Sequence, residues 1–241
     1  IANSLSLDAY KELFATTLAE GVKYKYETTV CAALPVLETI SQLVNCGDKI
    51  YKIEGILSGT LNYLFSQYNG EKSFSRLVKY AREAGYAEPD PRLDLAGTDV
   101  LRKFLISSRE AGFALESNII DFKGFVPDEI MAVQKSDFNA YANEFYEKLE
   151  EWEPVILQQY ATAKQEGKKL RFIAQLDNTN GLKCSISLKS IDAFHPFYSL
   201  EGTDNAVIIE SEYYPNGIVI KGAGAGAKQT AGGLLNDILA I

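Results

Sequence analysis

One histidine, three cysteines and the absence of long apolar runs set the first limits on this 241-residue chain. Cys31, Cys46 and Cys184 have no metal-ligand spacing, and His195 precedes Pro196 in a loop-like stretch, so neither a zinc site nor a histidine-centred triad is expected. Lys and Arg total 24 against 32 Asp plus Glu, a net charge of -8, and no basic cluster offers the phosphate contacts that a nucleic-acid surface needs. No segment approaches the roughly 20 apolar residues of a transmembrane helix. The first residues have neither the basic nor the hydrophobic region of a secretory signal, so the cytoplasm is the expected location. Internal repeats and low-complexity linkers are absent too. What remains is a hydrophobic content of 46 %, ample for a core of one large domain or two small ones.

Periodicity organises the chain. Leu7, Tyr10, Leu13, Phe14 and Leu18 recur at helical spacing up to Gly21, and Val22 to Val30 reads as a strand. Pro35 to Val44 predicts a helix, Lys49 to Ile56 a strand, and Ser58 to Tyr68 a helix capped by Ser58. Helices then dominate to Gln165, including Asp94 to Gly112, Asp137 to Leu149 and Pro154 to Gln165. From Leu170 the period becomes two. Leu170 to Leu176 and Leu182 to Leu188 flank Asn178-Thr-Asn-Gly181, and Ala206 to Tyr213 faces Ile218 to Lys221 across Pro215-Asn-Gly217, which predicts antiparallel strands. A helix resumes over Gln229 to Ile241.

The passage Ala81 to Lys103 is dense in reactive groups: Tyr86, Glu88, Asp90, Asp94, Asp99 and Lys103. Gly85 is placed to end a helix, Pro89 and Pro91 prevent a regular element, and a second helix can start near Asp94. Asp99 and Lys103 then stand one turn apart on one helix face, where a carboxylate and an ammonium can act on one molecule. An arbitrary pair at this spacing is an exposed ion pair of small worth; the acidic, proline-stiffened neighbourhood favours a reaction site. The same prolines break the ligand spacing and glycine turn of a calcium loop. Glu27 to Pro35 reads as core, with a bend whose carbonyls beside Glu27 could hold a hard cation. Gly222, Gly224 and Gly226 could form a tight strand-to-helix turn or let backbone approach a ligand. They lie too near the end of the sequence to open a βαβ unit.

Gly55-Ile-Leu-Ser-Gly-Thr-Leu-Asn-Tyr63, Gly85-Tyr-Ala-Glu-Pro-Asp-Pro-Arg-Leu-Asp-Leu95 and Asp99-Val-Leu-Arg-Lys103 closely resemble the homoserine dehydrogenase family. Glu27 to Pro35 resembles that family's cation-binding bend and Lys221 to Thr230 its carboxyl-terminal glycine segment. The likeness runs through essentially the whole chain and is strongest to the dehydrogenase part of bifunctional aspartokinase-homoserine dehydrogenases. It implies reversible NAD(P)-dependent interconversion of L-homoserine and L-aspartate 4-semialdehyde. By resemblance Lys103 donates and accepts the proton, Asp99 positions it, Glu88 receives the substrate's amino group, and Tyr86, Asp94, Gly59 and Thr60 line the pocket. Gly222, Gly224 and Gly226 would face the cofactor. Sodium would sit on Glu27 and the carbonyls of Val30, Ala32 and Leu34, although Cys31 and Ala33 stand where the family commonly has glycine.

The implied fold is α+β, a mixed, largely antiparallel sheet with helices on one face, and the implied assembly is a homodimer paired through strands of Leu170 to Lys221. Residues 1–30 would be a remnant of a nucleotide-binding domain whose larger part is not in the sequence, 31–225 the catalytic and dimerisation domain, and 226–241 a helix returning to the nucleotide-binding domain. The competing expectation is a non-catalytic assembly or small-amino-acid-binding module.

Overall fold

The structure is a computed structural model that describes residues 5–132 and 138–241. It opens with helix α1 (Leu7–Ala19), capped by Ser6, whose hydroxyl accepts the Ala9 N–H. Beyond Glu20 the expected strand does not form: residues 22–26 are irregular with no ladder partner among the described residues, and Glu27–Thr29 is a turn of 3-10 helix. Alternation alone makes no strand without a neighbouring edge to satisfy its backbone. Tyr24 and Tyr26 instead stack on each other and meet the edge of Phe14.

Helix α2 (Val36–Asn45) leads into β1 (Ile50–Ile56), and Ser58 caps α3 (Gly59–Gln67) by accepting the Leu61 N–H. Helix α4 (Phe74–Glu83) is followed by the acidic loop. The single helix expected from Asp94 is two pieces, the one-turn α5 (Arg92–Leu95) and α6 (Thr98–Glu110), broken at Gly97 in left-handed backbone with φ of 66°. Phe172 and Phe122 crowd Gly97 so closely that a Cβ there would fall 3.1 Å from the Phe172 ring, so both backbone angle and packing demand glycine. The short strand β2 (Asp121–Phe122) and helix α7 (Asp128–Met131) come next. Helices α8 (Phe138–Glu151) and α9 (Glu153–Gln165) follow; the first residue of the expected Asp137 helix lies outside the described residues.

Strands β3 (Lys169–Asp177), β4 (Lys183–Ile191), β5 (Asp204–Ser211) and β6 (Ile218–Ala223) complete a six-stranded sheet in the order β2-β4-β3-β1-β5-β6, before α10 (Ala227–Leu239). Every pairing is antiparallel except β2 with β4. Side chains of Leu170, Phe172, Ala174 and Leu176 face the helical layer and join its core with Phe74, Phe104 and Trp152. Alternate residues, Ile56, Ile173 and Ile208, pack on the other face under Phe197 and Leu200 of the 192–203 loop. Each such side chain, fully buried, contributes about 1.5–3 kcal/mol. This positions the end of β1, the first turn of α3 and the start of α6 together.

Candidate active site

Buried Val100, Phe104 and Ser107 turn one face of α6 to the core and leave Asp99 and Lys103 on its flank. Lys103 Nζ lies 2.9 Å from Asp99 Oδ2 and donates to the carbonyl of Leu57 at 3.0 Å. The lysine side chain is only 18 % exposed while that of Asp99 is 56 % exposed, so the ammonium is recessed and its partner faces solvent. Two of three ammonium protons are thereby held, leaving one for a bound molecule. The Leu57 carbonyl is a part of the site that sequence reasoning missed; main-chain acceptors carry no residue-type signal.

Thr60, in the first turn of α3, links the helix to the acidic loop: its Oγ1 stands 2.6 Å from the Tyr86 carbonyl and 2.9 Å from Asp94 Oδ1. The other Asp94 oxygen accepts the Glu88 N–H at 2.8 Å. Burial raises the Asp94 pKa, outweighing those two hydrogen bonds, with the charges of Glu88 and Asp99 adding to the rise. Asp90 binds Arg92 through two contacts of 2.9 and 2.7 Å. Of Glu88, Asp90, Asp94 and Asp99, only the exposed Glu88 carboxylate has no hydrogen bond or ion pair among the described residues. Tyr86 rests on Tyr63 with ring centroids 4.9 Å apart. Gly59 is held against the loop before β5; a Cβ there would meet the Thr203 carbonyl at 2.6 Å.

The remaining predicted residues gather around Cys31. Cys31 and Ala32 both adopt left-handed backbone, φ of 58° and 52°, where a side chain costs about 1–2 kcal/mol that glycine would not. The Cys31 thiol is pushed up to about 11, mainly by burial, against the pull of the Lys103 charge. Asn205 Nδ2 lies 3.5 Å from its sulfur. The glycine segment packs over both: a Cβ on Gly224 would fall 2.3 Å from Asn205 Oδ1 and one on Gly222 3.1 Å from Leu34. Gly226 immediately precedes α10. Bend, glycine segment and lysine are thus neighbours.

Glu27 has a use the sequence did not announce. Its carboxylate accepts the N–H groups of Leu37 at 2.9 Å and Glu38 at 2.7 Å, capping α2. Burial nevertheless pushes its pKa up to about 7, with Asp237 and Glu38 adding to the rise. This half-buried carboxylate has no cationic partner among the described residues, so the two N–H groups of α2 are what offset its burial. Among the described residues no group of three or more His, Cys, Asp or Glu is arranged to hold a metal. A cavity of about 800 Å³ is bordered by Tyr26, Glu27, Glu38, Glu110 and Asp237 and does not include Lys103 or Glu88.

The α+β domain thus brings a recessed lysine and an exposed carboxylate into one loop-helix unit, the kind of pairing from which a proton-transfer site can be built. Residues 35–239 match the sequence profile of homoserine dehydrogenase, and the chain belongs to that family. It is 41 % identical to the bifunctional aspartokinase/homoserine dehydrogenase 2 of Zea mays along its entire length, which is 26 % of that protein. It is 39 % identical to the homoserine dehydrogenase of Saccharomyces cerevisiae, of which it spans 66 %. A Candida auris protein of unknown function, known from a crystal structure, superposes with a TM-score of 0.91 at 40 % identity, over 99 % of this chain and 66 % of that one. A hyperthermophilic archaeal homoserine dehydrogenase in complex with NADPH shares the fold, with a TM-score of 0.69 at 20 % identity over 97 % of this chain and 60 % of that one.

Proposed function

We propose that the chain supplies the substrate-binding and proton-transferring part of a homoserine dehydrogenase, oxidising L-homoserine reversibly to L-aspartate 4-semialdehyde. The observation that carries this reading is the Lys103 ammonium, fixed by Asp99 and the Leu57 carbonyl with one proton uncommitted. Such a group can take the hydroxyl proton as the alcohol becomes an aldehyde and return it in reverse, while Asp99 keeps it aimed. The Glu88 carboxylate, without a protein partner among the described residues, is suited to the substrate's ammonium, and Tyr86, Asp94, Gly59 and Thr60 shape the pocket around it.

A nicotinamide cofactor, NAD(P), would supply the hydride acceptor. The residues present fit it: Gly222, Gly224 and Gly226 offer side-chain-free backbone ahead of α10, and Asn205 Oδ1 is buried beneath Gly224 without a hydrogen-bond partner among the described residues. NADPH in the archaeal relative supports the same choice. Glu27 and the carbonyls of Val30, Ala32 and Leu34 would hold sodium. Residues 1–30 and 226–241 are best assigned to a nucleotide-binding domain, because α1 buries none of its residues and Leu234, Leu235, Ile238 and Leu239 of α10 are exposed. The assembly in this reading is a cytoplasmic homodimer; the plant relatives are named chloroplastic.

Homoserine-dependent nicotinamide reduction by the full-length protein tests the reading. Replacing Lys103 with alanine should lower kcat roughly 10²–10⁴-fold with the fold intact. Unchanged turnover would remove Lys103 from the reaction.

A further inference from the structure

We propose that Arg82, in the last turn of α4, is a positioning residue that sets the direction of the Glu88 carboxylate; the inference rests on Glu88 receiving the substrate's ammonium. Arg82 Nε donates to the Pro89 carbonyl at 2.7 Å and Nη2 donates to Asn139 Oδ1 at 2.7 Å. Its guanidinium lies 5.2 Å from the centre of the Phe138 ring, and Arg92, the partner of Asp90, lies 5.3 Å from the same ring. The loop is therefore clamped between α4 and the first turn of α8.

Glu88 sits between the two fastened points. Its own N–H is held by Asp94, and the residue after it is held by Arg82. Pro89 fixes its own φ and restricts the backbone of Glu88, so gripping the Pro89 carbonyl leaves the glutamate backbone little freedom. Only the side-chain torsions remain, and the carboxylate itself has no protein partner among the described residues. The guanidinium fork suits the task because it donates in two directions while its flat face packs on an aromatic ring, which an ammonium does not reproduce.

Steady-state kinetics on the full-length protein compare Arg82→Gln, Arg82→Lys, Glu88→Gln and the double variant Arg82→Gln/Glu88→Gln. Arg82→Gln should raise the KM for homoserine about tenfold, the loss of one charge-assisted hydrogen bond, with kcat and the nicotinamide KM within a factor of about two. Arg82→Lys should recover little of it. Because Arg82 acts through Glu88, the double variant should be no worse than Glu88→Gln alone. A normal homoserine KM in Arg82→Gln beside a raised one in Glu88→Gln overturns the inference, and so do multiplying losses in the double variant. A normal KM in Glu88→Gln removes the assignment of Glu88 and the inference with it. Unaltered thermal midpoints separate these outcomes from loss of the fold.

Discussion

Arg171 shows what one residue can do for a site it never touches. It sits in β3 at a position where alternation predicts a surface-facing side chain, yet its guanidinium is fully buried. It donates to the carbonyls of Phe65 at 3.3 Å, Leu170 at 2.9 Å, Tyr198 at 3.3 Å and Leu200 at 2.9 Å, and burial lowers its pKa against the charge of Glu201. The loop so pinned carries the Gly202 carbonyl that accepts from Asn62 at 3.0 Å and the Thr203 carbonyl that abuts Gly59. Arg171→Met keeps the volume and removes every donor, leaving buried carbonyls whose desolvation costs about 1–3 kcal/mol each. We expect at least ~2 kcal/mol of lost stability in urea denaturation, together with a raised homoserine KM from the loosened start of α3. A variant as stable as the parent would show that water replaces the guanidinium.

At the scale of elements, the break between α5 and α6 matters most, because it sets the angle between Asp94 on one side and Asp99 with Lys103 on the other. Gly97→Ala would place a side chain in left-handed backbone, a penalty of about 1–2 kcal/mol, and drive it into Phe172. Stability should fall by roughly 2 kcal/mol or more and kcat should fall with it, as read by thermal melting and turnover; an unchanged kcat in a folded variant would mean that the angle does not matter. This break was not legible in the sequence. Asp94 to Gly112 reads as one periodic segment, and Gly97 inside it is tolerated by periodicity. The hairpins, by contrast, were legible from turn chemistry, since Asn178 to Gly181 and Pro215 to Gly217 lie between segments of period two. The Val22 to Val30 strand failed for the converse reason: pairing is a property of neighbours, and no described strand lies beside it. Asp99 and Lys103 were readable because helical spacing alone brings them together, whereas the Leu57 carbonyl and the capping role of Glu27 arise from tertiary placement.

For the molecule as a whole, the proposed homodimer would pair through the sheet face opposite the helices. It carries Lys52, Glu54, Gln175, Lys189 and Glu210, with His195 reaching over it. His195 Nε2 lies 2.9 Å from Glu54 Oε2, Lys52 Nζ lies 3.1 Å from Glu210 Oε1, and Lys189 donates to Gln175. Two lysines and two glutamates leave the patch with no net charge to oppose the approach of a second copy. Phe194, 97 % exposed beside His195, and Val219, 45 % exposed on β6, supply apolar contacts on the same face. Burying a phenylalanine is worth about 1.5–3 kcal/mol. On the proposed pairing, light scattering should give the mass of two subunits, and Phe194→Asp should weaken association at least tenfold while leaving each subunit folded. Tyr51, Tyr213 and Tyr214, at the far end of β1 and in the β5–β6 turn, offer a rival apolar surface. A parent protein of one-subunit mass would refute pairing altogether, whereas a dimer indifferent to Phe194→Asp would move the contact away from this face.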